Sequence, residues 1–187
     1  MFDNTLDAAR TCCFAGHRDR DLPFAGDRST IGMKNLVSSL HLEIEEAVRE
    51  GFDTFLSGMA EGIDLICAEI VFSKMMRGEN VRLVCAIPFA GQRERDLSLP
   101  RDKYLHSLIT AHCSVVELSE KYRKGCYKRR NEFMIGHSSR LIGAVKRKVG
   151  STGTLQTIKM AEKAGLDMHI LELDDNPLFY IDRLTLA

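Results

Sequence analysis

Short, almost uninterrupted apolar runs alternate with segments whose apolar residues recur at helical spacing, and this alternation constrains the fold most. Thr11–Ala15, Phe52–Ser57, Val81–Ile87, Ser114–Leu118, Leu141–Val145 and Met168–Leu173 read as six strands. Between the first two, Met33, Leu36, Val37, Leu40, Ile44, Ala47 and Val48 mark one face of a helix over about Gly32–Glu50, stopped by Gly51. Ile63, Ile66, Cys67, Ile70 and Val71 mark a second helix, ended by Gly78. Further helices are expected from Pro100 to about Ala111, from Lys128 to Ser138 and from Thr154 to Ala164. The polar stretch Gly91–Ser98 reads as a connection, and the tail after Asp174 gives no clear pattern.

Strands without polar alternation, each joined to the next by a helix, belong in a parallel sheet covered on both faces. Right-handed crossovers make it doubly wound, so the expected fold is α/β and Rossmann-like. Such sheets bind ligands beyond the carboxyl ends of their strands, where the strand order reverses. Four clusters of glycine and polar residues fall at strand ends here. They are Gly16-His17-Arg18, the Gly58–Gly62 turn, Pro88-Phe89 and the Gly150–Thr154 loop.

A length of 187 residues with 44% hydrophobic side chains fits one domain with one sizeable core. Lys plus Arg and Asp plus Glu number 26 each, so net charge gives no reason to expect nucleic acid or a membrane as partner. No apolar run approaches the ~20 residues of a membrane span, and Met1–Arg10 lacks the apolar core of a signal peptide. A cytoplasmic location is expected. None of the six cysteines forms a Cys-x-x-Cys pair. They read as buried, reduced thiols, except that Cys126 falls in a basic loop that would stabilise a thiolate. The histidines show no metal-ligand spacing, and neither a metal nor a cofactor is expected.

The Gly150-Ser151-Thr152-Gly153-Thr154 loop carries the most chemistry. Glycines let backbone approach a ligand closely, free N–H groups at a helix start attract anions, and three hydroxyls add donors. The spacing alone equally suits a plain strand-to-helix turn capped by Thr152 or Thr154. It matches neither a Walker loop nor Gly-x-Gly-x-x-Gly. In Gly58-Met59-Ala60-Glu61-Gly62-Ile63-Asp64, Asp64 either caps the following helix or accepts from a ribose hydroxyl. Arg18 either binds phosphate through its fork or pairs with Asp19 or Asp21. Lys121, Arg123, Lys124, Lys128, Arg129 and Arg130 form a basic segment interleaved with Tyr122 and Tyr127, and Lys146, Arg147 and Lys148 precede the glycine loop. Such a patch draws phosphates, and the tyrosines are candidates to stack on a base; a solvated loop is the ordinary alternative.

Taken in order, Cys13–Arg18, Ser57–Asp64 with Ala68-Glu69, Ile87–Gln92 and Arg130–Met134 resemble the YpsA-like branch of the SLOG superfamily. That superfamily groups Rossmann-like domains related to Lonely Guy phosphoribohydrolases and to DprA. The resemblance spans about residues 11–173. It implies a nucleotide-derivative pocket lined by Gly16, His17, Arg18, Gly58, Met59, Ala60, Gly62, Asp64, Pro88, Phe89, Gln92, Arg130, Asn131 and Gly150, Ser151, Thr152, Gly153 and Thr154. The resembled branch carries an aromatic residue soon after the Gln92 position, where this chain has Arg93-Glu94-Arg95-Asp96. Arg130 resembles the arginine of Lonely Guy enzymes, and Gly153-Thr154 their Gly-Thr pair. Their catalytic glutamate falls at Thr157, with Gln156 beside it, and neither is a carboxylate.

The first expectation is therefore a sensor or sequestering protein for an ADP-ribose-like or cyclic-nucleotide signal, whose partner is a nucleotide-type small molecule. An N-glycosidic hydrolase of Lonely Guy type is the alternative and needs a displaced carboxylate, Asp64, Glu69 or Glu132. Single-stranded DNA binding, by likeness to DprA, ranks last because the chain is neutral. The superfamily's frequent dimers leave a homo-oligomer open.

Overall fold

Along the first strand the side chains of Cys12 and Phe14 point to one face, and those of Cys13 and Ala15 to the other. Both faces are buried, so the strand needs helices on each side. The computed structural model describes residues 6–148 and 152–182, the side chain of Thr152 excepted. It has six parallel strands: β1 (Thr11–Gly16), β2 (Thr54–Ser57), β3 (Arg82–Ile87), β4 (Ser114–Glu117), β5 (Arg140–Val145) and β6 (Asp167–Glu172). Their order is β4-β3-β2-β1-β5-β6. The fold is Rossmann-like α/β, as the alternation of elements implies.

The helices are α1 (Ile31–Arg49), α2 (Ile63–Met76), α3 (Gln92–Asp96), α4 (Pro100–His112), α5 (Cys126–Gly136) and α6 (Thr152–Ala164). Helices α1, α2 and α4 pack with Cys12, Phe14, Phe55 and Cys85 on one face of the sheet. Helices α5 and α6 cover Cys13, Ala15, Leu56 and Leu141 on the other.

Helix α1 shows why the periodicity was a good guide. Thr30 caps it by accepting from Met33 N, and Met33, Leu36, Leu40 and Ile44 are fully buried along one stripe. Burying each such side chain contributes roughly 1.5–3 kcal/mol. Its first free N–H groups are met from far away in sequence: Gly32 N donates to Ile181 O at 2.7 Å and Ile31 N to Asp182 O at 3.3 Å. The tail thus has a structural role, with a 3-10 turn at Pro177–Phe179 seating Phe179 in the core.

Two local expectations change. The stretch after Gly91 is not merely a connection, because Gln92 is buried and starts α3. Its polar composition concealed an anchor that only tertiary contacts supply. Cys126 is buried as the first residue of α5 and does not lie in an open basic loop. All six cysteines are free thiols. Burial pushes the Cys13 thiol up to about 12 and raises those of Cys12, Cys67 and Cys85 as well. No helix among the described residues is long and apolar enough to cross a membrane.

Candidate functional site

The strand order places a reversal between β1 and β5. From β1 the chain builds outward through β2, β3 and β4, then returns to lay β5 and β6 on the opposite side. The loops after β1 and β5 therefore part company, and a crevice opens between them. A cleft of about 740 Å³ occupies this position. Its floor is the end of β1, Phe14–Gly16. One wall is the turn before α2, with Ala60 and Glu61, and the start of that helix, with Asp64. Helix α5 contributes Tyr127, Arg130 and Asn131, and α6 contributes Gly153, Thr154 and Thr157. Arg18, Arg20 and Asp21 complete the lining.

Arg130 organises the deep end. Its Nη1 donates to Gly58 O at 2.5 Å and lies 3.4 Å from Asp64 Oδ2. Its Nε donates to Asn131 Oδ1 at 2.7 Å. Asn131 Nδ2 then donates to Thr157 Oγ1 at 2.7 Å, and that hydroxyl donates to Gly153 O at 3.0 Å. A continuous relay ties the arginine to the first turn of α6. Burial pushes the Asp64 carboxyl up, and the Arg130 and Arg18 charges oppose that rise. Glycine at position 58 makes the arrangement possible: a Cβ there would lie 1.5 Å from Arg130 Nη1.

The first turn of α6 sits beside β1, held by Thr154 Oγ1 donating to Gly16 O at 3.0 Å. A helix of thirteen residues starts at Thr152, and the first N–H groups of such a helix have no partner within it. Arg18 faces the same cleft. Among the described residues it has no acidic partner within ion-pair distance; Arg20 is the residue that approaches Asp21, at 3.5 Å. Arg18 and Glu61 are thus the two cleft charges left without an ion pair among the described residues.

Eight of the residues that the resemblance assigns to the pocket line this cleft: Gly16, Arg18, Ala60, Asp64, Arg130, Asn131, Gly153 and Thr154. Gly150 and Ser151 lie outside the described residues, as does the side chain of Thr152. The others lie behind the lining. His17 is buried with Nε2 3.2 Å from Lys146 O, and burial lowers its pKa. Met59 is buried with a positive φ of 54°. Gly62 holds φ +83°, and the His17 carbonyl would lie 2.2 Å from a Cβ there. Gln92 Nε2 donates to Gly58 O at 2.9 Å. Pro88 and Phe89 are buried, Phe89 stacking edge-on against Tyr122 and Tyr127 with centroids at 5.4 and 6.0 Å.

Sequence reasoning passed over Phe14, Ala15, Arg20, Asp21 and Glu61 as lining residues. Their position at strand ends and in the turns next to Arg18 and Gly62 was the available signal. Tyr127 is held at the cleft by its hydroxyl, which donates to Asp96 at 2.8 and 3.0 Å. Burial and this carboxylate raise the phenol to about 12. Asp96 belongs to the segment where the resembled branch has its aromatic residue, so the polar segment here anchors an aromatic ring from α5 instead. The basic segments divide. Arg147 pairs with Glu172 at 2.7 Å and Lys148 with Asp175, while Lys121, Arg123, Lys124 and Arg129 are exposed with no acidic partner among the described residues. Of the three carboxylates considered for hydrolysis, Asp64 alone lines the cleft. Glu69 is bound by Arg28 at 3.2 Å and Arg101 at 3.5 Å, and Glu132 is exposed beside Lys128. No group of three metal-ligating side chains converges among the described residues.

A family model named YpsA, described as the YspA SLOG family, matches residues 12–176. The chain belongs to this family. The SLOG match runs from β1 through β6 and includes every described segment of the cleft. No curated protein sequence matches. Among solved structures, DNA processing protein A (DprA) from Streptococcus pneumoniae superposes with a TM-score of 0.54 at 17% identity, over 87% of this chain and 50% of that one. The chain thus spans about half the length of that neighbour, and the likeness is one of fold.

Proposed function

We propose that this SLOG protein binds a nucleotide-derived ligand bearing phosphate, of ADP-ribose or cyclic-nucleotide type, as a sensor or sequestering protein. The observation that carries the reading is that Arg18, without an acidic partner among the described residues, and the first turn of α6 line the same β1/β5 crevice. A free guanidinium and a helix N-terminus are complementary to the same phosphate. The cleft volume of about 740 Å³ suits a nucleotide-sized ligand. Glu61 supplies an acceptor for ribose hydroxyls, and the Tyr127 ring supplies a face for a base.

Binding is favoured over cleavage by the engagement of Thr157. Its hydroxyl is committed to Asn131 and Gly153, so the position that holds glutamate in Lonely Guy enzymes is a tether here. Of the three carboxylates considered for hydrolysis, Asp64 alone lines the cleft, and its partner is Arg130. A thermal-shift panel with NAD, ADP-ribose, cyclic ADP-ribose and AMP tests the reading. Stabilisation by a phosphate-bearing member without release of free base is expected. No stabilisation by any of them counts against the proposal, and base release would favour the hydrolase.

Single-stranded DNA binding is the second reading, supported by the exposed Lys121, Arg123, Lys124 and Arg129 on one segment, which have no acidic partner among the described residues. It requires a gel shift that weakens steeply with salt.

A further inference from the structure

The loop that carries Arg18 runs from β1 to α1 through a chain of short backbone bonds. Asp21 N donates to Arg18 O, Leu22 N to Asp19 O, Ala25 N to Leu22 O, Asp27 N to Phe24 O and Thr30 N to Asp27 O, at 2.9–3.2 Å. Midway along it, Phe24 and Ala25 hold φ of 51° and 49°, and Gly26 follows at 78°. Of the three, only the glycine takes this left-handed conformation without a steric penalty. Two consecutive residues with a Cβ in it are strained, and contacts around the loop must hold them there. Ala25 is exposed, so the holding contacts fall to Phe24.

The segment after β6 supplies them. Phe179 is buried in the core, and the backbone around it crosses the start of α1. Ile181 O accepts from Gly32 N at 2.7 Å, and Leu178 O from Asn35 Nδ2 at 2.8 Å. Gly32 leaves room for the crossing: a Cβ there would lie 2.1 Å from Phe179 O and 3.1 Å from the Phe24 ring. The Tyr180 ring, 42% exposed, neighbours that of Phe24, with centroids 6.4 Å apart. Its other neighbour is Lys146, whose Nζ lies 5.5 Å from the ring centre and whose carbonyl faces His17 Nε2 at 3.2 Å. Residues 177–181 thus reach both loops that flank the crevice.

We propose that residues 177–181 form a strap that holds the strained loop in the shape presenting Arg18 to the cleft, with Tyr180 and Phe24 as positioning residues. With the strap released, the loop relaxes out of its left-handed turn. Its bonds run back without a break to Arg18 O, so Arg18 moves with it. A ligand held by Arg18 and a docked strap favour the same loop shape, and each strengthens the other. The effect on the ligand rests on the nucleotide reading of the cleft, whereas the hold of the strap on the loop does not.

The test joins amide hydrogen exchange to calorimetry on the full chain. Tyr180→Ala should speed exchange at Leu22, Ala25 and Asp27 about fivefold or more relative to β1 and β5. It should weaken ADP-ribose binding about fivefold or more. Tyr180→Phe keeps the ring and should match wild type. Adding Ala25→Gly to Tyr180→Ala removes strain and should restore both protection and affinity, a repair that a glycine in an exposed turn would not make if Tyr180 were merely structural. Unchanged exchange in Tyr180→Ala overturns the proposal, as does a double variant no better than Tyr180→Ala. Faster exchange with unchanged ADP-ribose affinity overturns the coupling to the cleft. If ADP-ribose, NAD and AMP all fail to bind wild type, the nucleotide reading falls and the exchange rates still decide the strap.

Discussion

The Arg130 guanidinium lies 3.4 Å from Asp64 Oδ2, with both side chains only 8% exposed. Each would be costly to bury alone, since an unpaired buried charge loses its hydration with nothing in return. The pair joins α5 to α2 across the mouth of the sheet. Arg130→Met should destabilise the fold by about 3–5 kcal/mol by stranding Asp64. Arg130→Met with Asp64→Leu should lose much less than the sum of the two single changes. Urea unfolding midpoints at constant slope measure this. Simple additivity would show that the two groups do not depend on each other.

Gly58→Ala tests the packing beneath that pair. Its Cβ would lie 1.5 Å from Arg130 Nη1, so the guanidinium must leave the Gly58 carbonyl. Overpacking of this kind costs about 1–3 kcal/mol. Nucleotide binding should fall with it. Retention of both stability and binding would mean the arginine has another equally good position.

Thr157→Val keeps the side-chain shape and removes the hydroxyl that Asn131 and Gly153 share. The expected loss is about 1 kcal/mol, the worth of a typical hydrogen bond, seen in thermal unfolding. Ligand affinity should drop as Asn131 and Arg130 lose their link to α6. Unchanged affinity would make the relay purely structural.

Asp19 gives a pH signature. Burial, reinforced by Asp102, raises its carboxyl from 3.8 to about 6, with Arg28 and Arg101 opposing. A raised carboxyl favours the native state when protonated. Its contribution is therefore fully present below about pH 4 and lost as pH rises through about 6. Asp19→Asn should remove that dependence and stabilise the protein at pH 7 by about 1–2 kcal/mol, the full shift being discounted for partial exposure. The comparison of wild type and Asp19→Asn across this range isolates the residue. Parallel curves would contradict the assignment.

The sheet was legible because its signals are local. The uninterrupted runs of β1, β3 and β5, and the stripe Met33, Leu36, Leu40 and Ile44, announce themselves within a few residues. The rim was legible because strand ends in a parallel sheet share one edge, which gathers Gly16, Ala60 and Gly153. What escaped depends on contacts far apart in sequence. The Gln92 side chain is anchored by donating to Gly58 O, 34 positions away. Cys126 is buried although basic residues surround it in the chain. Whether Arg18 pairs with a neighbouring aspartate or stays unpaired could not be read from spacing, since Arg20 competes for Asp21. Gly58, Met59, Gly62 and Gln92 belong to the site's support, because a turn motif does not reveal which of its residues face inward.

The central claim is that the crevice between β1 and β5 holds a nucleotide phosphate through Arg18 and the start of α6. Calorimetric titration of wild type and Arg18→Ala with ADP-ribose, NAD and AMP tests it most directly. The account predicts saturable binding of at least one of them to wild type. It predicts a loss of about tenfold or more in Arg18→Ala, equivalent to about 1.4 kcal/mol, with an unchanged circular dichroism spectrum. Absence of binding to all three, or equal affinity in the two proteins, would contradict it.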